Sequence, residues 1–179
     1  MPTIQLLRRR GILKILPCSS ARVFVCHLYG KSTMDITPLS ENDLPQLIAL
    51  QAELIDEASD LNRMRELFTR IHKDSNYHLL GAKIEGRLVG SLVGIVCHDL
   101  IGKCIPFMVI ENVIVAKTWR YQGVGRMLMA AVEKIAQTRE CRYIMLVSAI
   151  TREQAPAFYQ SLGYESAPYR GFKKTLVQR

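Results

Sequence analysis

No stretch of this 179-residue chain reaches the roughly 18 consecutive apolar residues that a membrane-spanning helix needs. The five cysteines, Cys18, Cys26, Cys97, Cys104 and Cys141, contain no C-x-x-C pair and are odd in number. That excludes a zinc ribbon and a complete disulfide framework, and it points to a reducing compartment, the cytoplasm. His72, His78 and His98 lack the spacing of metal ligands, so no metal is expected. Acidic residues are missing from residues 1 to 33, which hold six Lys or Arg; without them the net charge of +8 falls to 18 basic against 16 acidic residues. A broad basic surface for nucleic acid is therefore not expected. Aromatics make up only 7%, but 49% of the residues are hydrophobic, enough for the core of one globular domain.

The basic leading segment also lacks what a targeting signal requires. Arg9-Arg-Gly-Ile-Leu-Lys14 loosely imitates a twin-arginine signal and the acid-free composition a mitochondrial transit peptide, yet Pro17, Ser19, Ser20 and Arg22 interrupt the apolar run and there is no clear small-x-small cleavage site. Residues 1–33 are read as an N-terminal extension, disordered or upstream of the true start at Met34, with a single domain over residues 34–179.

Within that domain, Met34 to Thr37 reads as a first strand. Ser40-x-x-Asp43 has the form of a capping box, and the helix that follows carries Leu44, Leu47, Ile48, Leu54 and Ile55 on one side. A second helix is expected over Leu61 to Ile71, after the acidic stretch Asp56 to Asp60. Strands over His78 to Ile84 and Leu88 to Val96 are joined by Glu85-Gly86, a hairpin signal. After a turn at Asp99 to Lys103, Ile105 to Val115 is apolar enough for a central strand, and Tyr143 to Val147 for another buried one. A helix from Gly125 to about Arg139 separates the two, implying a parallel pair. Thr151-x-x-Gln154 suggests another cap, but Pro156 would then sit too deep in its helix, so a start nearer Glu153 is expected. Tyr164 to Leu176 reads as a closing hairpin.

The most informative stretch is Val113 to Arg126, where a strand meets Arg120-x-x-Gly123-x-Gly125 and then a helix with Val124, Met127, Leu128, Ala131, Val132, Ile135 and Ala136 along one face. Glycines allow close approach of an anion, and the first amides of a helix point outward without intrahelical partners. The loop is neither a Walker loop, since Gly125 is followed by Arg126 and Met127, nor a dinucleotide fingerprint, since Leu128 stands where glycine is needed. Two glycines before a helix can also be a plain turn.

Context narrows the choice: the preceding strand, Ile110-Glu-Asn-Val-Ile-Val115, contains a carboxylate, and a later segment reads Ala155-x-x-Phe158-Tyr159-x-x-x-Gly163-Tyr164. Together these resemble the GNAT superfamily of acyl-CoA-dependent N-acyltransferases over about Met34 to Thr175. The chain departs from the family pattern at Arg152, where asparagine is usual, and at Tyr164, where phenylalanine is. The resemblance implies an α/β fold (α+β) with a mixed, mostly antiparallel sheet, a splayed parallel pair and about four flanking helices. It implies that acetyl-CoA binds with its pyrophosphate on Arg120, Tyr121, Gln122, Gly123, Val124, Gly125 and Arg126, and its pantetheine arm along the backbone of Val113 and Val115 beside a bulge. It also implies Tyr159 as the acid that protonates the departing thiolate, the plainer alternative being a packed aromatic.

For an amine of pKa about 10.4, about one molecule in 2,500 is neutral at pH 7, so a base is useful. Glu111, interrupting an apolar strand, is the candidate, against a structural carboxylate; Asn112 is expected to face the other way. The expected activity is N-acetylation of a primary amine on a small molecule or peptide, by direct attack in a ternary complex. The alternative is a non-catalytic acyl-CoA-binding regulatory module. Neither nucleic acid nor membrane is an expected partner, and the oligomeric state is left open, a homodimer included.

Overall fold

The computed structural model of the protein describes residues 13–15, 24–27, 33–53, 59–166, 169 and 171–176. Among these residues seven strands form one sheet in sequence order: β1 (Leu13–Ile15), β2 (Phe24–His27), β3 (Thr33–Pro38), β4 (Tyr77–Ile84), β5 (Arg87–Cys97), β6 (Phe107–Val115) and β7 (Ile144–Leu146). Every neighbouring pair is antiparallel except β6 and β7, which run parallel. Among the described residues four α-helices accompany the sheet: α1 (Leu44–Gln51), α2 (Leu61–Ile71), α3 (Val124–Thr138) and α4 (Ala155–Gln160). This is the mixed, mostly antiparallel architecture with one parallel pair that the sequence led us to expect.

Local chemistry sets the helix boundaries. Asp43 accepts hydrogen bonds from both the backbone N–H and the hydroxyl of Ser40 at 2.8 Å, closing a short turn before α1. Pro45 then occupies the first turn of α1, where a missing N–H costs nothing. Asp60 caps α2 by accepting from Asn62 N and Arg63 N. At the end of α3, Glu140 takes a left-handed φ of 56° while Glu140 N and Cys141 N return to the carbonyls of Gln137 and Ala136, the paired bonds of a Schellman stop. Pro156 lies in the first turn of α4, as its steric requirement demands.

The sheet divides the core in two. On one face Met129, Val132 and Leu128 of α3 are buried against Met108, Ile110, Leu92 and Val96. On the other, Leu44, Leu47 and Leu50 of α1 and Phe68 of α2 cover Leu39, Leu88 and Ile114. Asp43, 5% exposed, supports this second face through an ion pair with Lys83 at 2.6 Å.

Three expectations need amendment or lie out of reach. Tyr143 to Val147 is not a buried strand: β7 borders the described sheet, and Tyr143, Met145 and Val147 are 42%, 43% and 60% exposed. No strand forms among the described residues of Tyr164 to Leu176, so the closing hairpin is not seen; an edge such as β7 is where such a hairpin would have paired. Leu54 and Ile55 fall outside the described residues. Two short strands, β1 and β2, lie before Met34, in the segment read as an extension, and continue the sheet beyond β3. Among the described residues, no helix is long and apolar enough to cross a membrane.

Candidate active site

A cleft of about 790 Å³ opens where the end of β6, the Lys117–Arg126 segment and α4 meet. Its walls include Val113, Val115, Arg120, Tyr121, Gly123, Gly125, Arg126 and Tyr159. The structure thus gathers these eight predicted site residues at one place. Gln122, Val124 and Glu111 are not in the lining. Gln122 is turned back to donate to Thr118 O at 2.9 Å, and the Val124 side chain is 1% exposed in the core beneath.

The strand end is built by a bulge. Ser91 pairs with Ile114 and Val93 with Glu111, so Leu92 alone opposes both Asn112 and Val113, and Asn112 takes a left-handed φ of 54°. One extra residue reverses the alternation of side chains. Met108 and Ile110 before the bulge, and Val113 and Val115 after it, therefore all belong to the α3 face, while Ile114 joins the α1–α2 face. Glu111 and Asn112, beside the bulge, are both exposed. The parallel ladder to β7 ends at Ile110–Leu146, immediately before the bulge, so the two strands part at the mouth of the cleft.

Two glycines shape the loop for different reasons. Gly123 is the N-cap of α3 with φ 85° and has no neighbour within 4 Å of a would-be Cβ; there the backbone conformation requires glycine and leaves open space for a ligand. At Gly125 a Cβ would lie 3.1 Å from Phe158 Cζ, so that glycine admits the α4 aromatic.

The basic groups are partly committed within the fold. Arg120 Nε donates to Val115 O at 3.1 Å, which ties the loop to the strand end. Arg126 reaches Ser161 Oγ at 3.0 Å and Ser161 O at 3.5 Å, joining α3 to the end of α4. Tyr121 is 85% exposed and its hydroxyl donates to Gln154 Oε1. With Arg152, three arginines border the cleft. Together with the outward amides of the first turn of α3, they make a setting suited to an anion carrying several phosphate groups.

Tyr159 is half-buried, with Phe158 edge-on at 5.1 Å and Tyr164 at 5.9 Å. Burial pushes its pKa up, and the positive charge of Arg152 partly offsets this. The group is therefore a neutral phenol at physiological pH, with a proton to give.

Sequence reasoning missed Glu53 and Trp119, both in the lining. Glu53 Oε2 accepts from Lys117 N at 2.8 Å, tying the end of α1 to the loop across 64 residues; no local pattern marks such a partner. Trp119 was legible in principle, as the single tryptophan of the chain adjoining the glycine loop.

The model of the acetyltransferase (GNAT) family matches residues 44–164. Similar solved structures include a transcriptional regulator from Bacillus halodurans C-125, at 27% identity over 80% of this chain and 99% of that one, with a TM-score of 0.70. Aminoglycoside N-acetyltransferase AAC(6')-Iy in complex with CoA matches at 20% identity over 84% and 100%, TM-score 0.70. Glucosamine-6-phosphate N-acetyltransferase from Arabidopsis thaliana matches at 17% over 79% and 97%, TM-score 0.71. With the family model spanning well over half of its length and the fold agreeing, the chain belongs to the GNAT acetyltransferase family.

Proposed function

We infer that the chain transfers the acetyl group of acetyl-CoA to a primary amine of a small molecule or peptide, by direct attack within a ternary complex. The observation that carries this reading is the convergence on one cleft of a bulged strand end, a glycine-capped helix N-terminus with arginines, and a protonated half-buried tyrosine.

The residues fit the donor. The open space at Gly123 and the first amides of α3 suit the pyrophosphate, with Arg120, Arg126 and Arg152 supplying positive charge. Val113 and Val115 offer backbone groups beside the bulge for the pantetheine arm. The amine nitrogen attacks the thioester carbonyl carbon, the C–S bond breaks, and the thiolate takes the phenol proton of Tyr159; a phenol whose pKa is raised by burial remains loaded until that moment. Glu111 lies outside the cleft lining, on the opposite face of the strand and before the bulge. A base role for it therefore requires the amine to enter from the α1–α2 face and to lose its proton through water.

That position of Glu111 is also the observation that favours the second reading, a module that binds acyl-CoA without turning it over. Calorimetric titration of acetyl-CoA, followed by measurement of thiol release with a panel of a polyamine, an amino sugar and a lysine peptide, separates the two. Binding with release from one amine class supports the transferase; binding without release from any amine supports the module. Loss of binding in Gly123→Glu ties the donor to the glycine loop.

A further inference from the structure

The cleft contains an acid that the donor does not explain. A polyphosphate donor is served by arginines, and a carboxylate in the same lining repels it. Glu53 nevertheless lines the cleft, just past the end of α1, as does Trp119. Its Oε2 accepts from Lys117 N at 2.8 Å, beyond the end of β6, so the backbone holds the carboxylate in one place. Among the described residues, no Lys or Arg pairs with Glu53 and its second oxygen has no hydrogen-bond partner. The other acid of the lining, Glu153, directly follows Arg152 on the approach to α4.

A fixed carboxylate with a free oxygen and an unbalanced charge suits an ammonium group, and an aromatic ring in the same lining adds to the attraction. The place fits as well. Glu53 comes from the α1 side, the side from which an amine must enter to meet Glu111. Glu111 stands before the bulge and Glu53 is bound beyond the strand end, so the two carboxylates mark separate points along β6. At about 3.3 Å per residue, the stretch from Glu111 to Val115 alone covers roughly 10 Å once the bulged residue is allowed for. Such a separation suits two charges of one acceptor better than a single charge.

We propose that Glu53 is a specificity-determining residue that holds a second positive charge of the acceptor, so that the substrate is an amine carrying at least two cationic groups. This deepens the transferase reading and rests on it. Glu53 is exposed, and water screens its charge; the expected contribution is up to about fivefold in affinity. The bond to Lys117 N reduces the ordering cost, because the carboxylate is in position before the amine arrives.

The test is calorimetric titration of amines into the full-length protein saturated with CoA, which has no acetyl group to transfer, so that binding is read without turnover. Spermidine is compared with butylamine, and kanamycin with glucosamine; each pair sets several charges against one, and the two pairs separate an aliphatic acceptor from a sugar. Glu53→Gln removes the charge but keeps an oxygen for Lys117 N, and Glu153→Gln removes the same charge elsewhere in the lining. At low salt, the multiply charged member of at least one pair should bind more tightly than its partner. Glu53→Gln should weaken that binding about fivefold, change the affinity for the singly charged amine by less than about twofold, and leave acetyl-CoA affinity within about twofold. The preference should vanish near 1 M salt, where the screening length is about 3 Å, and should survive in Glu153→Gln. No binding of either spermidine or kanamycin, equal affinity within both pairs, or a preference that survives Glu53→Gln overturns the proposal while leaving the transferase reading intact. Absence of acetyl-CoA binding, or thiol release from none of the amines, overturns the transferase reading and this inference with it.

Discussion

The two faces of the sheet are built to different standards. On the α3 face a fifteen-residue helix contributes six fully buried residues and ends in a two-bond stop. The α1–α2 face is covered by an eight-residue helix with three buried residues and by α2, of which only Phe68 is fully buried. The donor cleft opens beside the first face, and Glu111 stands on the second. On the proposed function this contrast is a division of labour: the donor is held by the deeply packed element, and acceptor choice is left to the more lightly anchored one, as local stability principles allow.

That contrast can be broken by truncating each face. Leu128→Ala, at a residue 0% exposed, should cost about 3 kcal/mol, and Leu47→Ala, at 7%, about 2 kcal/mol. Urea unfolding of the two variants checks this, and a larger loss at Leu47 would reverse the assignment of the rigid face. Next in size is Tyr159→Phe, expected to lower kcat about a hundredfold with acetyl-CoA affinity unchanged, read by steady-state kinetics and calorimetry.

On the lighter face, Asp43 supplies a single strong tie. Burial alone would raise its pKa, but hydrogen bonds from Lys83 and Ser40 and the lysine charge outweigh it, so the folded value lies below the usual 3.8. Its contribution is therefore present above that value and is lost as pH falls through the folded pKa. Asp43→Asn should cost about 2 kcal/mol at pH 7, and the deficit should close below about pH 4; a deficit unchanged at pH 3 would show that charge is not its source. The smallest effect is expected at Glu111→Gln, about a tenfold loss in kcat/KM for the amine. No loss would leave Glu111 with no part in the chemistry.

Much of this was legible in the sequence because the signals were local. Leu61–Ile71 carries its own cap at Asp60, Glu85-Gly86 forms the expected short turn with positive φ at both residues, and Pro156 falls in the first turn of its helix as expected, although α4 begins at Ala155, two residues beyond Glu153. The α3 face could be read residue by residue because a helical period leaves no second register. What was hidden was non-local. The bulge at Asn112 depends on how β6 pairs with β5, and it interrupts the simple alternation of side chains along the strand. Gly125 lines the cleft as expected but also clears space for Phe158, a contact that no local pattern marks. Exposure of β7 likewise depends on what lies beyond it in the sheet, which no property of Tyr143 to Val147 encodes.

The central claim is that acetyl-CoA binds at the N-terminus of α3 and is held there by a backbone that requires glycine at position 123. Calorimetric titration of acetyl-CoA into the full-length chain and into Gly123→Glu tests it most directly. One-site binding in the micromolar range, lost in the variant while the variant's thermal midpoint stays within a few degrees, is the predicted result. Equal affinity in the two proteins, or no binding to either, would contradict it.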